Sequence, residues 1–168
     1  MEDAAAYHAL RTEMLEDSPW AFSSSPGDDR ARDPESAAAY LRAPNRVIAG
    51  GFEGDELVAA ASVVRDEHRK QAHRVSVWGV YVAPGVRKKG LGKACTALAL
   101  DTARSWPGVE VAVLSVSERA KGAIALYRSL GFEQWGIERD VIRVGDCRYD
   151  AIHMTLRLGT LAQGDNAS

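Results

Sequence analysis

The chain has 168 residues, 46% hydrophobic and 26% charged, the size and balance of one globular domain with a real core and no room for a second full domain. Its 21 basic and 23 acidic residues leave a formal charge of −2, which excludes the broad basic field that draws a protein to nucleic acid. Two cysteines without CxxC spacing, an acidic start and no run of about 20 apolar residues speak against a disulfide framework, a metal site, a signal peptide and a membrane span, so a reduced, cytoplasmic protein is expected.

In chain order, Ala6, Tyr7, Leu10 and Met14 recur every three to four residues and predict an amphipathic helix over 3–15, with Asp3 placed to cap its start. Ser18 and Pro19 end it, and the polar, Pro/Gly-bearing stretch 23–36 predicts a mobile rim leading into a short helix over 34–42. Two β-prone runs, 46–53 and 57–65, joined by Gly54, Asp55 and Glu56, predict a hairpin. After a polar connector, 66–74, the run VSVWGVYV over 75–82 is β-branched, aromatic and too apolar for an exposed edge. Pro84 and Gly85 stop it, and Leu91, Ala94, Leu98 and Ala99 mark the inner face of a helix over 91–106 that Pro107 and Gly108 close. A strand over 109–116, a helix over 120–130 ended by Gly131, and strands over 132–138 and 149–158 follow. The order describes an α/β chain of the α+β kind, one mixed sheet with helices packed on it, a single domain over 1–158 with a flexible tail over 159–168.

The segment 87–93 (RKKGLGK) falls between a buried strand and a helix whose first amides have no intrahelical partner. Gly90 and Gly92 let the backbone approach an anion, the helix dipole adds partial positive charge, and Arg87, Lys88, Lys89 and Lys93 add full charges, so a diphosphate is the natural ligand. A solvated turn is the plain alternative for a loop of this composition. A P-loop starting at Gly85 would need lysine at position 91, where Leu91 stands, and a dinucleotide fingerprint starting at Gly90 would need glycine or alanine at position 95, where Cys95 stands. Both rival motifs fail.

VYVAPGVRKKGLGKA, residues 80–94, resembles the acetyl-CoA signature of the GNAT superfamily of N-acetyltransferases, R/Q-x-x-G-x-G/A after a strand ending in V-x-P, and Val82, Pro84, Arg87, Gly90 and Gly92 match it. LSVSERAKGAIALYRSLGF, residues 114–132, continues the likeness through Leu126, Tyr127, Gly131 and Phe132. More loosely, SPWAF, WGVYV and a late RYD are similar to a bacterial subgroup of generic GNAT acetyltransferases. The resemblance implies a central mixed, largely antiparallel sheet flanked by helices. It implies transfer of the acetyl group of acetyl-CoA, the donor substrate, to an amine by direct attack in a ternary complex, with no metal, nucleic acid or membrane involved.

By the same resemblance Val80, Tyr81 and Val82 pair with the pantetheine arm like an added strand. The amides of Arg87, Lys88, Lys89, Gly90, Leu91, Gly92, Lys93 and Ala94 hold the diphosphate. Tyr127 matches the tyrosine that protonates the departing thiolate, although on the residues alone it equally fits a core aromatic beside Ala123, Leu126 and Leu130.

The sequence departs from the family's pattern in three places. An attacking amine must be neutral, so a base or water relay has to take its proton, and the carboxylate that relatives often carry on the strand matching 75–82 is missing. Glu16, His68 and Asp150 are candidates from elsewhere, each of which reads first as solvated surface, Trp20, Phe22 and Trp78 fit either an acceptor pocket or the core, and His8, His73 and His153 receive no role. Ala120 stands where many relatives have asparagine. The relatives' first strand is missing ahead of the first helix, which would uncover the edge of 46–53 and call for cover by another segment or by a second copy in a homodimer. The missing carboxylate and Ala120 keep an alternative open, a catalytically weak CoA-binding or regulatory module of the same fold.

Overall fold

A computed structural model of the chain describes residues 2–159; residues 160–168, nearly all of the expected tail, lie outside them. Helix α1 (Glu2–Asp17) buries Ala4, Tyr7, Leu10 and Met14, a stripe at three- and four-residue spacing. It begins at Glu2, so Asp3 lies in its first turn rather than at its cap, where its carboxylate still complements the positive helix end. Helix α2 (Pro34–Arg42) is started by Asp33, whose carboxylate accepts a hydrogen bond from the Ser36 amide at 2.7 Å, with Pro34 preset to a helical φ.

Within the stretch 23–36, expected to form a mobile rim, Asp29 and Ala31 are anchored against α1. Asp29 and Ala31 are each only 2% exposed. The Arg11 guanidinium donates to both Asp29 oxygens, at 3.1 and 2.6 Å, and His8 Nδ1 lies 2.7 Å from the Ala31 carbonyl. The partners of this ion pair stand 18 residues apart, so no local pattern announces it.

Strands β1 (Arg46–Glu53) and β2 (Glu56–Arg65) form the expected hairpin, turned through Gly54 at φ +60°. Strand β3 (Arg74–Val82) runs antiparallel to β2, helix α3 (Leu91–Arg104) crosses over, and β4 (Val111–Ser117) returns parallel to β3. Helix α4 (Lys121–Ser129) leads to the hairpin of β5 (Glu133–Val144) and β6 (Cys147–Arg157). The sheet order is β1-β2-β3-β4-β6-β5, mixed and largely antiparallel, with β3 and β4 the one parallel pair among the described residues.

Strands β5 and β6 reach farther than the expected 132–138 and 149–158. Their outer halves are largely exposed and mix charged residues with Val141, Ile142 and Val144, so no regular alternation of buried apolar and exposed polar residues marks them. The Asp140 amide, at φ +56°, donates to Asp150 at 3.1 Å in a bulge, beyond which pairing resumes at Ile142 opposite Tyr149.

Each face of the sheet carries its own core. Helices α3 and α4 cover one face over Val63, Val75, Leu114 and Met154, whereas α1 and α2 cover part of the other over Ala60 and Tyr81. Strand β2 is buried on both sides, which explains an apolar run interrupted only by Ser62. The second face is left open farther along, where Trp78 and Trp135 are 56% and 64% exposed. At the other end β1 is an edge. Among the described residues nothing pairs with its outer backbone groups, so none of them supplies the cover expected there.

Candidate active site

Strands β3 and β4 pair only through Arg74 with Val111, Val75 with Ala112 and Ser76 with Val113, and part beyond them. A bulge accompanies the parting: Tyr81 opposes Ala60 but Trp78 opposes Ser62, and Gly79 between them holds φ +57°. A Cβ at position 79 would meet the Arg11 guanidinium at 3.0 Å, so dihedral and space both demand glycine. Past the fork, residues 80–82 keep β2 on one side and no strand on the other. The result is a slot in the sheet whose β3 wall is open backbone, apart from the Val82 carbonyl, which accepts from Arg87 Nε at 2.9 Å.

Along β3 the slot leads to the start of α3. Lys88 at φ +66° and Gly90 at φ +85° turn the chain into that helix, whose first internal bond runs from the Ala94 amide to the Gly90 carbonyl at 3.0 Å. The amides of residues 91–93 therefore lack intrahelical acceptors and carry the positive end of the helix dipole. Of the residues expected to hold a diphosphate, Arg87 and Ala94 have their amides engaged, with the Pro84 and Gly90 carbonyls. Gly92 is glycine for packing, since a Cβ would stand 3.1 Å from Leu126 Cδ1 and 3.2 Å from Val82 Cγ2, whereas Gly90 has open space and needs only its positive φ.

The cations divide as well. Arg87 bonds Asp17 at 2.5 Å and lies over the Tyr81 ring at 5.5 Å, and Lys89 reaches Glu53 at 3.0 Å. Burial pushes the Asp17 carboxyl up, but Arg87 and the Ser18 hydroxyl more than reverse this and hold it below the usual carboxylate range. Lys88 and Lys93 are exposed and pair with no carboxylate among the described residues, leaving two free positive charges beside the open amides. Amides, charges and an uncrowded Gly90 fit a diphosphate.

Tyr127 on α4 is 7% exposed and packs edge-on to Phe132 at 5.9 Å, in the core it shares with Leu114 and Val116 of β4. Burial pushes its hydroxyl pKa up, so it keeps the proton that an acid must have to give. Ala120, the residue just ahead of helix α4, has no polar side chain and gives the helix no side-chain cap. Cys95 is buried against Gly51 under β1, and burial pushes its thiol up.

The three substitutes for a missing base lie elsewhere. Glu16 is exposed on α1; His68 bonds Asp66 with its side chain 86% exposed; Asp150 accepts from the Asp140 amide and pairs with Arg139, which together hold its carboxyl low. None of them lines the pocket of about 170 Å³ that opens at the fork. Ser76, Trp78, Ser115, Trp135 and His153 line it, and Trp78 lies outside the core. His153 escapes sequence reading because residues from four strands converge here, and no spacing along one strand shows it. A second cavity of about 420 Å³ lies between residues 19–26, with Phe22 in its wall, and the hairpin tip at 141–145. Trp20 lies 5.5 Å beneath the Arg119 guanidinium, and the exposed His73 offers its carbonyl to the amides that open β4.

Similarity to known proteins agrees with this geometry. The sequence matches the family model described as Acetyltransferase (GNAT) family over residues 7–132. It is 32% identical over 115 residues to the N-alpha-acetyltransferase RimI of Mycobacterium tuberculosis, covering 67% of this chain and 70% of that protein. It is 35% identical over 98 residues to the ribosomal protein bS18-alanine N-acetyltransferase of Escherichia coli, covering 58% of this chain and 61% of that protein. The fold matches yncA from Salmonella typhimurium with its cofactor acetyl-CoA at a TM-score of 0.78 and 24% identity, over 98% of this chain and 94% of that one.

Proposed function

The chain belongs to the GNAT family of acetyltransferases, and from that premise we propose that it moves the acetyl group of acetyl-CoA to a primary amine by direct attack in a ternary complex. One observation carries this reading: the parted strands β3 and β4 open a slot that joins the free amides at the start of α3 to a pocket at the fork. The diphosphate of CoA takes the amides of residues 88–93 with Lys88 and Lys93, and the pantetheine arm pairs along residues 80–82. From Val82 back to Trp78 is about 13 Å at roughly 3.3 Å per residue, which carries the acyl end to the fork. There the amine nitrogen attacks the thioester carbonyl and Tyr127 protonates the departing sulfur.

We further infer that the acceptor is the α-amino group of a peptide or protein N terminus. The names of the two bacterial relatives support this, as does the open cleft between residues 19–26 and the hairpin tip. Thermal melts with CoA test donor binding, and thiol release from acetyl-CoA tests turnover against peptides with free or blocked N termini, lysine peptides and polyamines. Turnover confined to free N termini is the expected result, and turnover with polyamines alone would reassign the acceptor. Stabilisation by CoA with no turnover would favour the weak CoA-binding module, the reading that Ala120 and a β3 without carboxylates support.

A further inference from the structure

The proposed reaction needs a group that takes the amine proton, and β3 carries no carboxylate to do so. We propose that His153 is this base and that Glu138 is the residue that positions it. The assignment rests on the acetyltransferase reading and follows from where the fork lies. Strands β3 and β4 last pair at Ser76 and Val113, so Trp78 and Ser115, two residues farther along each strand, are the first residues past the fork on the face away from α3. His153 stands directly opposite Ser115 in the antiparallel pairing of β4 and β6, where facing side chains lie about 5 Å apart at their Cβ atoms. Trp78, Ser115 and His153 all line the pocket at the fork. Tyr127 belongs to the core on the opposite face of the sheet, so acid and base approach the acyl group from its two sides.

Two contacts fix the imidazole. Nε2 lies 2.8 Å from Glu138 Oε2, and the ring packs against the Trp135 indole with centroids 5.1 Å apart. The carboxylate accepts only, so Nε2 carries the hydrogen and Nδ1 is the nitrogen with a free lone pair. The charged groups that face this ring are Glu138 on β5 and Arg74, which lines the same pocket from β3, while β4 presents Ser115 and Val113. As the amine nitrogen bonds to the carbonyl carbon, its proton passes to Nδ1. The C–S bond then breaks, the sulfur takes the Tyr127 proton, and solvent returns both side chains to their starting states. One amine and one thioester thus give one amide and one thiol.

The test is kcat/KM against pH for the unaltered protein, His153→Gln and Glu138→Gln, using a peptide amine the protein accepts and a second peptide of different amine pKa. A limb that moves between peptides belongs to the amine, and one that stays belongs to the enzyme. His153→Gln keeps the bond to Glu138 but cannot take the proton. Its expected result is a loss of about 10²-fold or more in kcat/KM and of the fixed limb, with stabilisation by CoA unchanged. Glu138→Gln, whose side-chain oxygen can still accept from Nε2 but which loses the charge, should lower kcat/KM by less than His153→Gln does, and Glu138→Ala, which frees the ring, should lower it by more than Glu138→Gln, with stabilisation by CoA unchanged. If His153→Gln folds poorly, His153→Ala with added imidazole replaces it, and rescue is the supporting outcome. Wild-type kcat/KM and an intact limb in His153→Gln, or no rescue of His153→Ala, would overturn the assignment alone. No turnover by the unaltered protein with any amine would overturn the acetyltransferase reading with it.

Discussion

The proposed donor side of the slot, residues 79–94, is built mostly from backbone: a bulge at Gly79, a left-handed turn at Gly90 and the open amides of α3. The proposed acceptor side is built from side chains of four strands, Trp78, Ser115, His153 and Trp135, and from a loop that one buried ion pair anchors. Backbone geometry is written into consecutive residues and tolerates changes of side chain wherever there is room. Convergent side chains come from distant positions, and each depends on its neighbours. Substitutions on the donor side should therefore act through conformation and packing, and those on the acceptor side through lost partners.

Arg11→Met should break this contrast open most severely. It would leave the Asp29 carboxylate, with a side chain only 3% exposed, buried without its counter-charge, a loss on the order of 3–5 kcal/mol in denaturant melts. A loss under about 1 kcal/mol would mean that the pair does not hold the loop. Tyr127→Phe should lower kcat about 10²-fold, about 2.7 kcal/mol of barrier, with the melting shift by CoA preserved. An unchanged kcat would return Tyr127 to the core alone.

Gly92→Val crowds Leu126 and Val82 and should cost about 1–3 kcal/mol as well as weaken CoA binding, measured by melts with and without CoA. Gly90→Ala, with free space around it, should cost no more than the strain of a positive φ, about 1 kcal/mol. Equal losses in the two variants would show that packing does not distinguish the two glycines.

The smallest effect concerns acid. Burial pushes the Asp29 carboxyl up, but Arg11 and the Ala31 amide more than reverse it, so its folded pKa lies below the unfolded value. Such a group stabilises the fold above its unfolded pKa and loses that contribution as pH falls through the folded pKa. Denaturant melts from neutral to strongly acid pH should show the wild type losing more stability than Asp29→Asn. Parallel curves would remove this carboxylate from the acid dependence.

The same contrast explains what could be read in the sequence. The periodic helices, the hairpin at Gly54 and the cation-rich turn into α3 were legible because each depends on residues close in the chain. The outer halves of β5 and β6 were not, because their side chains are exposed and carry no apolar alternation. Arg87 and Lys89 illustrate a middle case: their charges were plain, but their partners, Asp17 and Glu53, come from α1 and β1. Glu16, His68 and Asp150 are ionisable groups visible in the sequence but away from the pocket, whereas His153, which has no local signal, is the histidine facing it.

By itself the sequence determined the elements, their order, the likeness to GNAT acetyltransferases and the donor loop, all consequences of spacing along one segment. Tertiary structure decided the rest. Where β3 and β4 part, which face of the sheet is left bare, what anchors Asp29 and which histidine stands beside the fork depend on strand register and long-range packing, and no single segment encodes these.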